Sequence, residues 1–493
     1  MPERATPDQR RSEKSAEAEV AAERWRRAER EEELEAFGIG GVRPQMTRQL
    51  ELPFEDRGEA PKVGRSVETP MAPEERKGSG ASDLMERAVS RPNMLAAFKR
   101  VKENKGSPGI DGMTVEELPD WLRGNWERIR EELLLGTYQP QSVRRHRIPK
   151  TGGGQRELGI PTVLDRLIQQ SLLQVLQPML DPTFSDHSYG FRPGRRAHDA
   201  VRRAQRYVQE GRRWVVDVDL ERFFDRVNHD ILMGKLAKRL EDKRVLRLIR
   251  RYLEAGVMIH GVVRERHEGT PQGGPLSPLL ANVLLDQVDK ELEKRGHAFV
   301  RYADDGNVYV RSRRAGERVM VLLHRLYGRL RLRINEAKST VARVWYRKFL
   351  GFSFWVAPGK TVQPRIADKA LEEMKHRVRR LTRRACGRSL NQVIEDLRSY
   401  LLGWKAYFRL AATPGVFRNL DEWIRHRLRA IQLSQWKRGR TVYRELVARG
   451  IGSEAAARVA ANTRRWWKNS AMELHLALPN RWFDERGLPR LGA

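Results

Sequence analysis

The chain has 493 residues, of which 40% are hydrophobic and 32% charged, so it is long enough for several domains with sizeable cores. Lysine and arginine number 95 against 64 acidic residues, and the net charge of +31 favours a polyanionic partner, most often nucleic acid. The single cysteine, Cys386, excludes an internal disulfide and a cysteine-rich zinc site, and no apolar run approaches the roughly 20 residues of a membrane span.

The first 82 residues differ in composition from the rest of the chain. Residues 1–60 carry 11 basic and 15 acidic side chains, and residues 38–82 are rich in glycine, proline and serine. The N-terminus has no apolar stretch typical of a secretory signal, which together with the cysteine usage predicts a cytoplasmic location. We predict that residues 1–82 form a charged, partly disordered extension.

Residues 83–365 mix helical and strand patterns, which predicts an α/β (α+β) region. The expected elements are, in order, a helix from Leu84 broken at Pro92, a helix in VEELPDWLRGNWERIREELLLG, two strands around the turn TGGGQ, a helix over 163–180, a strand over 214–218 that runs into a helix, and a hairpin of strands 299–303 and 307–310. The hairpin turn is predicted at Asp304-Asp305-Gly306.

Residues 366–493 are predicted to be entirely helical. Residues 361–493 carry 28 basic and 12 acidic side chains, so about half of the positive surplus lies in the last quarter of the chain. A localised binding surface explains this concentration better than a uniform basic coat does.

Two acidic positions suit phosphoryl or nucleotidyl transfer. Asp219 ends the apolar strand VVDV, and Asp304-Asp305 stand at a hairpin tip, where two neighbouring carboxylates repel unless a cation neutralises them. Mg²⁺ prefers such oxygen ligands and keeps waters for phosphate groups. A structural interpretation also exists, because Asp-Asp-Gly is a common hairpin turn and Asp219 could cap the following helix.

The motifs surrounding these residues resemble those of the group II intron reverse transcriptases and maturases, of the bacterial, endonuclease-less class. The matching segments are, in chain order, NKGSPGIDG within 93–114, RIPKTGGGQRELGIPTVLDRLIQQ, SYGFRPGRRAHDA, VDVDLERFFDRVNHD, GTPQGGPLSPLLANVLL, YADD and the pair SYLLGWKAYFRLAATP and DEWIRHRLRAIQLSQWKRG. The resemblance implies a right-hand polymerase fold, with fingers and palm over 83–365 and an all-α thumb/maturase domain over 366–493.

The resemblance also implies an activity. The protein would extend a DNA 3′-hydroxyl on an RNA template with dNTPs, using two Mg²⁺ ions, for which Mn²⁺ could substitute. Asp219, Asp304 and Asp305 would be the catalytic metal ligands, with Asp217 as an alternative to Asp219, and Asp225 in a structural or capping role. The parent intron RNA and a DNA primer or target would be partners, and the chain would act as a monomer or homodimer.

Five further residues are expected at the nucleotide. Phe224 would stack under the incoming sugar and exclude a 2′-hydroxyl, with Phe223 as its core-packed neighbour, although the two could exchange roles. Lys150 and Arg156 flank the glycine-rich turn and would meet the triphosphate, or else only backbone phosphates. Gln272 would lie near the nascent base pair, and Lys338 would assist the leaving pyrophosphate.

The aromatic residues of the helical region are expected mainly in its core, because their spacing is helical. The intervening cations are candidates for RNA phosphate contacts, namely Lys405, Arg409, Arg425, Arg429, Lys437 and Arg438. Two alternative functions remain open. One is a domesticated reverse transcriptase of defence or repair, and the other is a non-catalytic RNA-binding maturase.

Overall fold

The computed structural model describes residues 83–149, 155–259, 262–264, 268–270, 273–383, 387–462, 466–470 and 473–492. The predicted extension over 1–82 lies outside these residues. The described chain divides into two compact units, residues 83–343 and 344–492. The boundary that we predicted at residue 365 falls later than this division, because a strand pair within 352–366 belongs to the second unit.

The first unit contains helices and strands in alternation, which confirms the mixed fold class. Its described helices are α1 (Leu84–Val89), α2 (Arg91–Glu103), α3 (Leu118–Leu135), α4 (Val163–Leu180), α5 (Ala197–Gln209), α6 (His229–Ala237), α7 (Lys243–Glu254), α8 (Ser277–Lys294) and α9 (Arg313–Arg329). Its described strands are β1 (Val143–Pro149), β2 (Gln155–Ile160), β3 (Trp214–Val218), β4 (Val257–Ile259), β5 (Val262–Arg264), β6 (Ala298–Tyr302), β7 (Asp305–Val310) and β8 (Thr340–Arg343).

These strands form a fingers sheet and a central sheet. The fingers sheet has the order β2-β1-β4-β5, in which β1 and β2 are antiparallel and β1 and β4 are parallel. The central sheet has the order β6-β7-β3-β8 and is antiparallel throughout. It joins the two acidic segments singled out in the sequence, because β3 leads into Asp219 and pairs with β7, which begins at Asp305.

One face of the central sheet packs on the helical core of the unit. Val216 and Val218 of β3 alternate inward with Val308 and Val310 of β7, as a period-two strand requires. Helix α9 lies close to this face, because a Cβ on its Gly316 would stand 2.4 Å from a methyl group of Val341. The helical core and α9 therefore support this face of the sheet, and they hold the ends of β3 and β7 in a defined position.

The second unit is a hairpin followed by helices. The hairpin consists of β9 (Phe352–Val356) and β10 (Val362–Ile366). The described helices are α10 (Asp368–Leu381), α11 (Leu390–Phe408), α12 (Pro414–Trp436), α13 (Gly439–Val447), α14 (Ser453–Ala461), α15 (Trp466–Asn469), α16 (Leu474–Ala477) and α17 (Asn480–Asp484). The predicted all-helical character after residue 366 is thus confirmed for the described residues. Of the helices described in either unit, none is both long and apolar enough to cross a membrane.

Candidate active site

The register of the central sheet brings two of the predicted carboxylates together. Strand β3 pairs with β7 so that Val218 lies opposite Gly306 and Asp217 opposite Asn307. Continued by one residue, this register sets Asp219 against Asp305. Residues directly opposite each other in an antiparallel pair project from the same face. Asp219 and Asp305 therefore share one face at the end of the sheet, although 86 positions separate them in the sequence.

The hairpin turn lies one residue earlier than predicted. Pairing of β6 with β7 continues to Tyr302 opposite Asp305, so the connection consists of Ala303 and Asp304. Asp305 thus begins a strand and is exposed, while Asp304 sits in the turn and is half-buried. Ala303 adopts a left-handed conformation with a φ of 58°, which L-residues other than glycine rarely occupy. The prediction of an Asp304-Asp305-Gly306 turn was therefore wrong.

A loop far along the chain holds Asp219 in place. The Asp219 amide donates to the Ser339 hydroxyl at 3.0 Å, and the Asn335 amide donates to the Asp219 carbonyl at 2.8 Å. The Lys338 ammonium lies 3.9 Å from Oδ2 of Asp219, whose side chain is 28% exposed. Lys338 was predicted near the reacting groups, but Ser339 and Asn335 were missed. Only their position beside Lys338 in the sequence could have indicated them.

The structure separates Asp219 from its alternatives. Asp217 is on the same face but two residue pairs further from the turn, opposite the buried Asn307. The next helix, α6, takes its N-terminal cap from Asn228, whose side chain accepts from the Ile231 amide at 3.0 Å. Asp219 is consequently not the cap of that helix, and neither is Asp225, which is exposed in a short 3₁₀ turn.

The two phenylalanines after Asp219 differ in exposure. Phe223 is 3% exposed and belongs to the core, whereas Phe224 is half-buried, with the ring centroids 5.1 Å apart. The Thr270 amide donates to the Phe224 carbonyl at 2.7 Å, and a Cβ on Gly269 would meet that carbonyl at 2.9 Å. Only a residue without a side chain fits there, at a φ of 92°. The Gly269-Thr270 segment is therefore held against the backbone of Phe224.

The nucleotide-binding predictions fall partly outside the described residues. Lys150 and Gln272 are not described, and Arg156 is described only by its backbone, which pairs with Ile148 in the fingers sheet. Gly273, however, packs against the backbone of β2, because a Cβ there would meet the Gly159 carbonyl at 2.8 Å. This contact brings the glycine-rich loop that follows Gln272 against the fingers hairpin.

The donor chemistry of the carboxylates fits a divalent cation. Mg²⁺ in nucleotide-using sites is commonly held by one or two carboxylates, with waters and substrate phosphates completing its shell. The facing pair Asp219 and Asp305, with Asp304 in the adjoining turn, offers ligands of this kind. Across the residues that the structure describes, no group of three histidine, cysteine, aspartate or glutamate side chains forms a metal site by itself.

A buried ion pair lies directly beneath the turn. Arg301 of β6 and Asp289 of α8 are 2.6 Å apart at closest approach, and their side chains are 3% and 2% exposed. Burial raises the pKa of the Asp289 carboxyl, while the positive charge of Arg301 opposes that rise. The attraction of Asp289 in turn raises the pKa of Arg301 against the effect of its own burial. The sequence alone did not indicate this pair.

Two of the predicted RNA-binding arginines are structural. Arg425 is 2% exposed and pairs with Asp421 at 3.1 Å and with Asp484 at 2.8 Å. Arg429 is 7% exposed and donates to the Leu478 carbonyl at 2.9 Å, and burial lowers its pKa to about 10. The prediction for these two residues was wrong, because their guanidinium groups join α12 to the C-terminal segment and are withdrawn from solvent.

The other predicted RNA-binding cations lie nearer the surface. Arg409, Lys437 and Arg438 are exposed, and the half-buried Lys405 donates to the Arg490 carbonyl at 2.8 Å. The expectation of an aromatic core is confirmed by Trp404, which is 8% exposed and packs on Phe408 with centroids 4.8 Å apart. Trp467, by contrast, is 48% exposed and stacks on His426.

Two known families match the chain in consecutive segments. Residues 148–354 match the family described as "Reverse transcriptase (RNA-dependent DNA polymerase)", and residues 371–450 match "Group II intron, maturase-specific domain". The first segment contains the three candidate carboxylates, and the second lies within the predicted thumb/maturase domain.

The chain is also similar to individual proteins. Protein YkfC of Escherichia coli (strain K12) is 33% identical over 300 residues, which cover 52% of this chain and 79% of YkfC. Group II intron-encoded protein LtrA of Lactococcus lactis subsp. cremoris is 36% identical over 206 residues, which cover 41% of this chain but only 34% of LtrA. A solved "Partial Cas6-RT-Cas1--Cas2 complex" matches with 27% identity and a TM-score of 0.34, covering 50% of this chain and 42% of that one. The chain belongs to the family of group II intron reverse transcriptases, RNA-directed DNA polymerases that carry a maturase domain.

Proposed function

We propose that this chain extends a DNA 3′-hydroxyl on an RNA template at the Asp219, Asp304 and Asp305 site, and that it binds its intron RNA to assist splicing and mobility. The observation that carries the polymerase proposal is the β3–β7 register, which sets Asp219 opposite Asp305 beside the Ala303-Asp304 turn. RNA binding by itself needs no such set of carboxylates, so their arrangement supports a catalytic function.

The three aspartates would hold two Mg²⁺ ions, with Mn²⁺ as a substitute. When bound, such ions activate the attacking hydroxyl and stabilise the leaving oxygen. The role of the protein itself would be to hold the carboxylates at one end of the central sheet. The Ser339 and Asn335 bonds fix the backbone of Asp219 for this purpose. Lys338, 3.9 Å from Asp219, would supply the positive charge that assists the leaving pyrophosphate.

Phe224 would select the sugar of the incoming nucleotide. Its half-buried ring adjoins the buried Phe223, and the Gly269-Thr270 segment fixes its backbone, so the ring has little freedom to retreat. A ring fixed in this way would clash with a 2′-hydroxyl and favour dNTPs. Lys150, Arg156 and Gln272 remain predictions for the triphosphate and the nascent base pair.

Binding of intron RNA is proposed for the helical second unit. Exposed positive charge is present at Arg409, Lys437 and Arg438. The half-buried Lys405, which donates to the Arg490 carbonyl, adds a further positive charge. Contacts of this kind neutralise phosphates and make affinity depend steeply on salt. Arg425 and Arg429 are no longer part of this proposal. A cytoplasmic location and a monomeric or homodimeric state also remain predictions.

Primer extension on poly(rA)/oligo(dT) with the full-length chain tests the polymerase proposal. Asp219→Asn and Asp305→Asn should reduce dTTP incorporation to background while RNA affinity and thermal stability stay near wild type. Asp230→Asn is the matched control, because Asp230 is an exposed carboxylate that pairs with Arg250 and is not one of the proposed metal ligands. Full incorporation by either site variant would refute the assignment of the metal ligands.

The same assay, together with a splicing assay and the sequence of the flanking DNA, separates the alternatives. A wild-type chain that assists splicing of its intron RNA but incorporates no dNTP would be a non-catalytic maturase. An active polymerase whose flanking DNA encodes no intron RNA, and in particular no catalytic domain V hairpin, would be a domesticated enzyme of defence or repair.

A further inference from the structure

The buried pair Arg301 and Asp289 ends on the turn that carries the candidate metal ligands. Nε of Arg301 donates to both carboxylate oxygens of Asp289 at 2.9 Å, and Nη2 donates to Oδ2 at 2.6 Å. The remaining nitrogen, Nη1, donates to the Ala303 carbonyl at 2.8 Å and to Oδ1 of Asn282 at 2.9 Å. One guanidinium group thus connects helix α8 to the first residue of the turn.

A second segment closes on the same turn from the edge of the sheet. The Tyr189 amide donates to the Arg301 carbonyl, and the Arg301 amide donates to the His187 carbonyl, each at 2.8 Å. Next to Tyr189, Gly190 accepts at its carbonyl from Nδ2 of Asn282 at 3.0 Å. Its own backbone lies so close to the turn that a Cβ would stand 2.2 Å from the Ala303 amide nitrogen.

Stability alone does not require this arrangement. Burying two charges costs desolvation energy that their attraction barely repays, and a well-packed apolar pair often serves as well. A bidentate fork differs from an apolar pair in fixing direction, because the planar guanidinium sets where its remaining donors point. Here the remaining donor holds the carbonyl of Ala303, the one turn residue with left-handed backbone.

We propose that Arg301, Asp289 and Asn282 form a positioning network that sets the conformation of the Ala303-Asp304 turn and thereby the affinity of the carboxylates for their divalent ions. This inference rests on the proposed function, because it assumes that Asp304 and Asp305 are metal ligands. The three residues are positioning residues, because Arg301 bonds to the turn, while Asp289 and Asn282 act through their bonds to Arg301.

The Mg²⁺ requirement of the full-length chain tests the network. Asp289→Asn removes the charge that orients Arg301, and Arg301→Lys keeps a buried cation beside Asp289 but removes the donor to Ala303. For both variants we expect the half-saturating Mg²⁺ concentration in primer extension to rise roughly 10-fold, as is typical when groups behind metal ligands are lost. Mn²⁺ binding, followed by electron paramagnetic resonance with primer–template present, should weaken by a similar factor.

Asp242→Asn is the matched control. Asp242 is also a buried carboxylate paired with an arginine, since it accepts from Arg244 at 3.0 Å and from the Met85 amide at 3.0 Å. Its substitution should lower the melting temperature and leave the Mg²⁺ requirement and Mn²⁺ affinity unchanged. If Asp289→Asn does not fold, Arg301→Lys, which retains the ion pair, gives the result.

The outcomes separate the two proposals. Unchanged Mg²⁺ half-saturation and Mn²⁺ affinity in a folded Arg301→Lys variant would overturn the positioning network, even while Asp304→Asn and Asp305→Asn abolish synthesis. If Asp304→Asn and Asp305→Asn instead retain synthesis, the metal assignment itself fails. An equal rise in the Mg²⁺ requirement for Asp242→Asn would show that general loss of stability causes the rise. That result would also overturn the network.

Discussion

Replacing Gly190 by alanine should move the candidate catalytic turn without unfolding the protein. The added Cβ would stand 2.2 Å from the Ala303 nitrogen, 2.9 Å from the Tyr302 carbonyl carbon and 3.0 Å from the Ala303 Cα. All three are backbone atoms, so no flexible side chain can turn aside. The constraint is one of space alone, because Gly190 does not have the left-handed φ that favours glycine.

The size of the displacement follows from these distances. Ordinary contacts of a Cβ begin at about 3.4 Å, so the turn and the 188–190 segment must separate by roughly 1 Å. Overpacking of this kind costs roughly 1–3 kcal/mol of stability, which a large domain tolerates. A shift of about 1 Å in a catalytic group can cost roughly 100-fold in rate, and we expect kcat for primer extension to fall by that order.

Single-nucleotide incorporation at saturating primer–template and dTTP measures this effect. Gly124→Ala is the control, because Gly124 lies within helix α3 and an added Cβ there would meet nothing within 4 Å, so alanine should be neutral or stabilise by roughly 0.5–1 kcal/mol. A Gly190→Ala variant that folds and retains wild-type kcat would refute the claim that this segment fixes the turn.

Three further results are expected. Burial raises the pKa of Asp165 from 3.8 to about 6. The stabilisation that the protonated carboxyl provides is therefore fully present below about pH 4 and is lost as the pH rises through 6, which lowers the free energy of unfolding by roughly 3 kcal/mol. Urea unfolding at pH 5 and pH 7.5 should therefore show a smaller pH dependence for Asp165→Asn than for wild type, and equal dependence would contradict the assignment. Phe224→Ala should raise rGTP incorporation relative to dGTP, measured as a ratio of kcat/KM, while an unchanged ratio would remove Phe224 from sugar selection. Combined Lys437→Ala and Arg438→Ala should weaken intron RNA binding and lower the slope of log affinity against log salt by about 2, and an unaltered slope would exclude both phosphate contacts.

Strong local patterns made the scaffold of the site predictable. The apolar run ending at Asp219 and the two apolar segments around YADD have strand character, and the structure confirms them as β3, β6 and β7. The helical region after residue 366 was equally predictable, because apolar residues recur there at helical spacing. Local sequence therefore indicated which segments carry the carboxylates.

The turn itself could not be predicted, because tertiary contacts determine it. Local preference favours Gly306 as the residue with unusual backbone, and this preference suggested a turn over 304–306. In the structure the left-handed residue is Ala303, whose carbonyl is held by Arg301 and whose amide lies against Gly190. These partners come from other segments, which turn preferences do not take into account.

Burial of charge was hidden in the sequence for the same reason. Arg425 and Arg429 follow one another at helical spacing among other cations, and nothing local distinguishes them from exposed Lys437 or Arg438. What buries Arg425 is Asp484, 59 positions away, together with Asp421 one turn before it. Similarly, Ser339 reaches Asp219 across 120 positions.

The central claim is that Asp219 and Asp305 face each other across β3 and β7 and hold divalent ions. Crystals of the full-length chain with primer–template, a non-reactive dTTP analogue and Mn²⁺ would test it by anomalous diffraction. We expect Mn²⁺ peaks roughly 2–2.5 Å from carboxylate oxygens of both residues. Peaks located away from this sheet end, or a register in which Asp219 is not opposite Asp305, would contradict it.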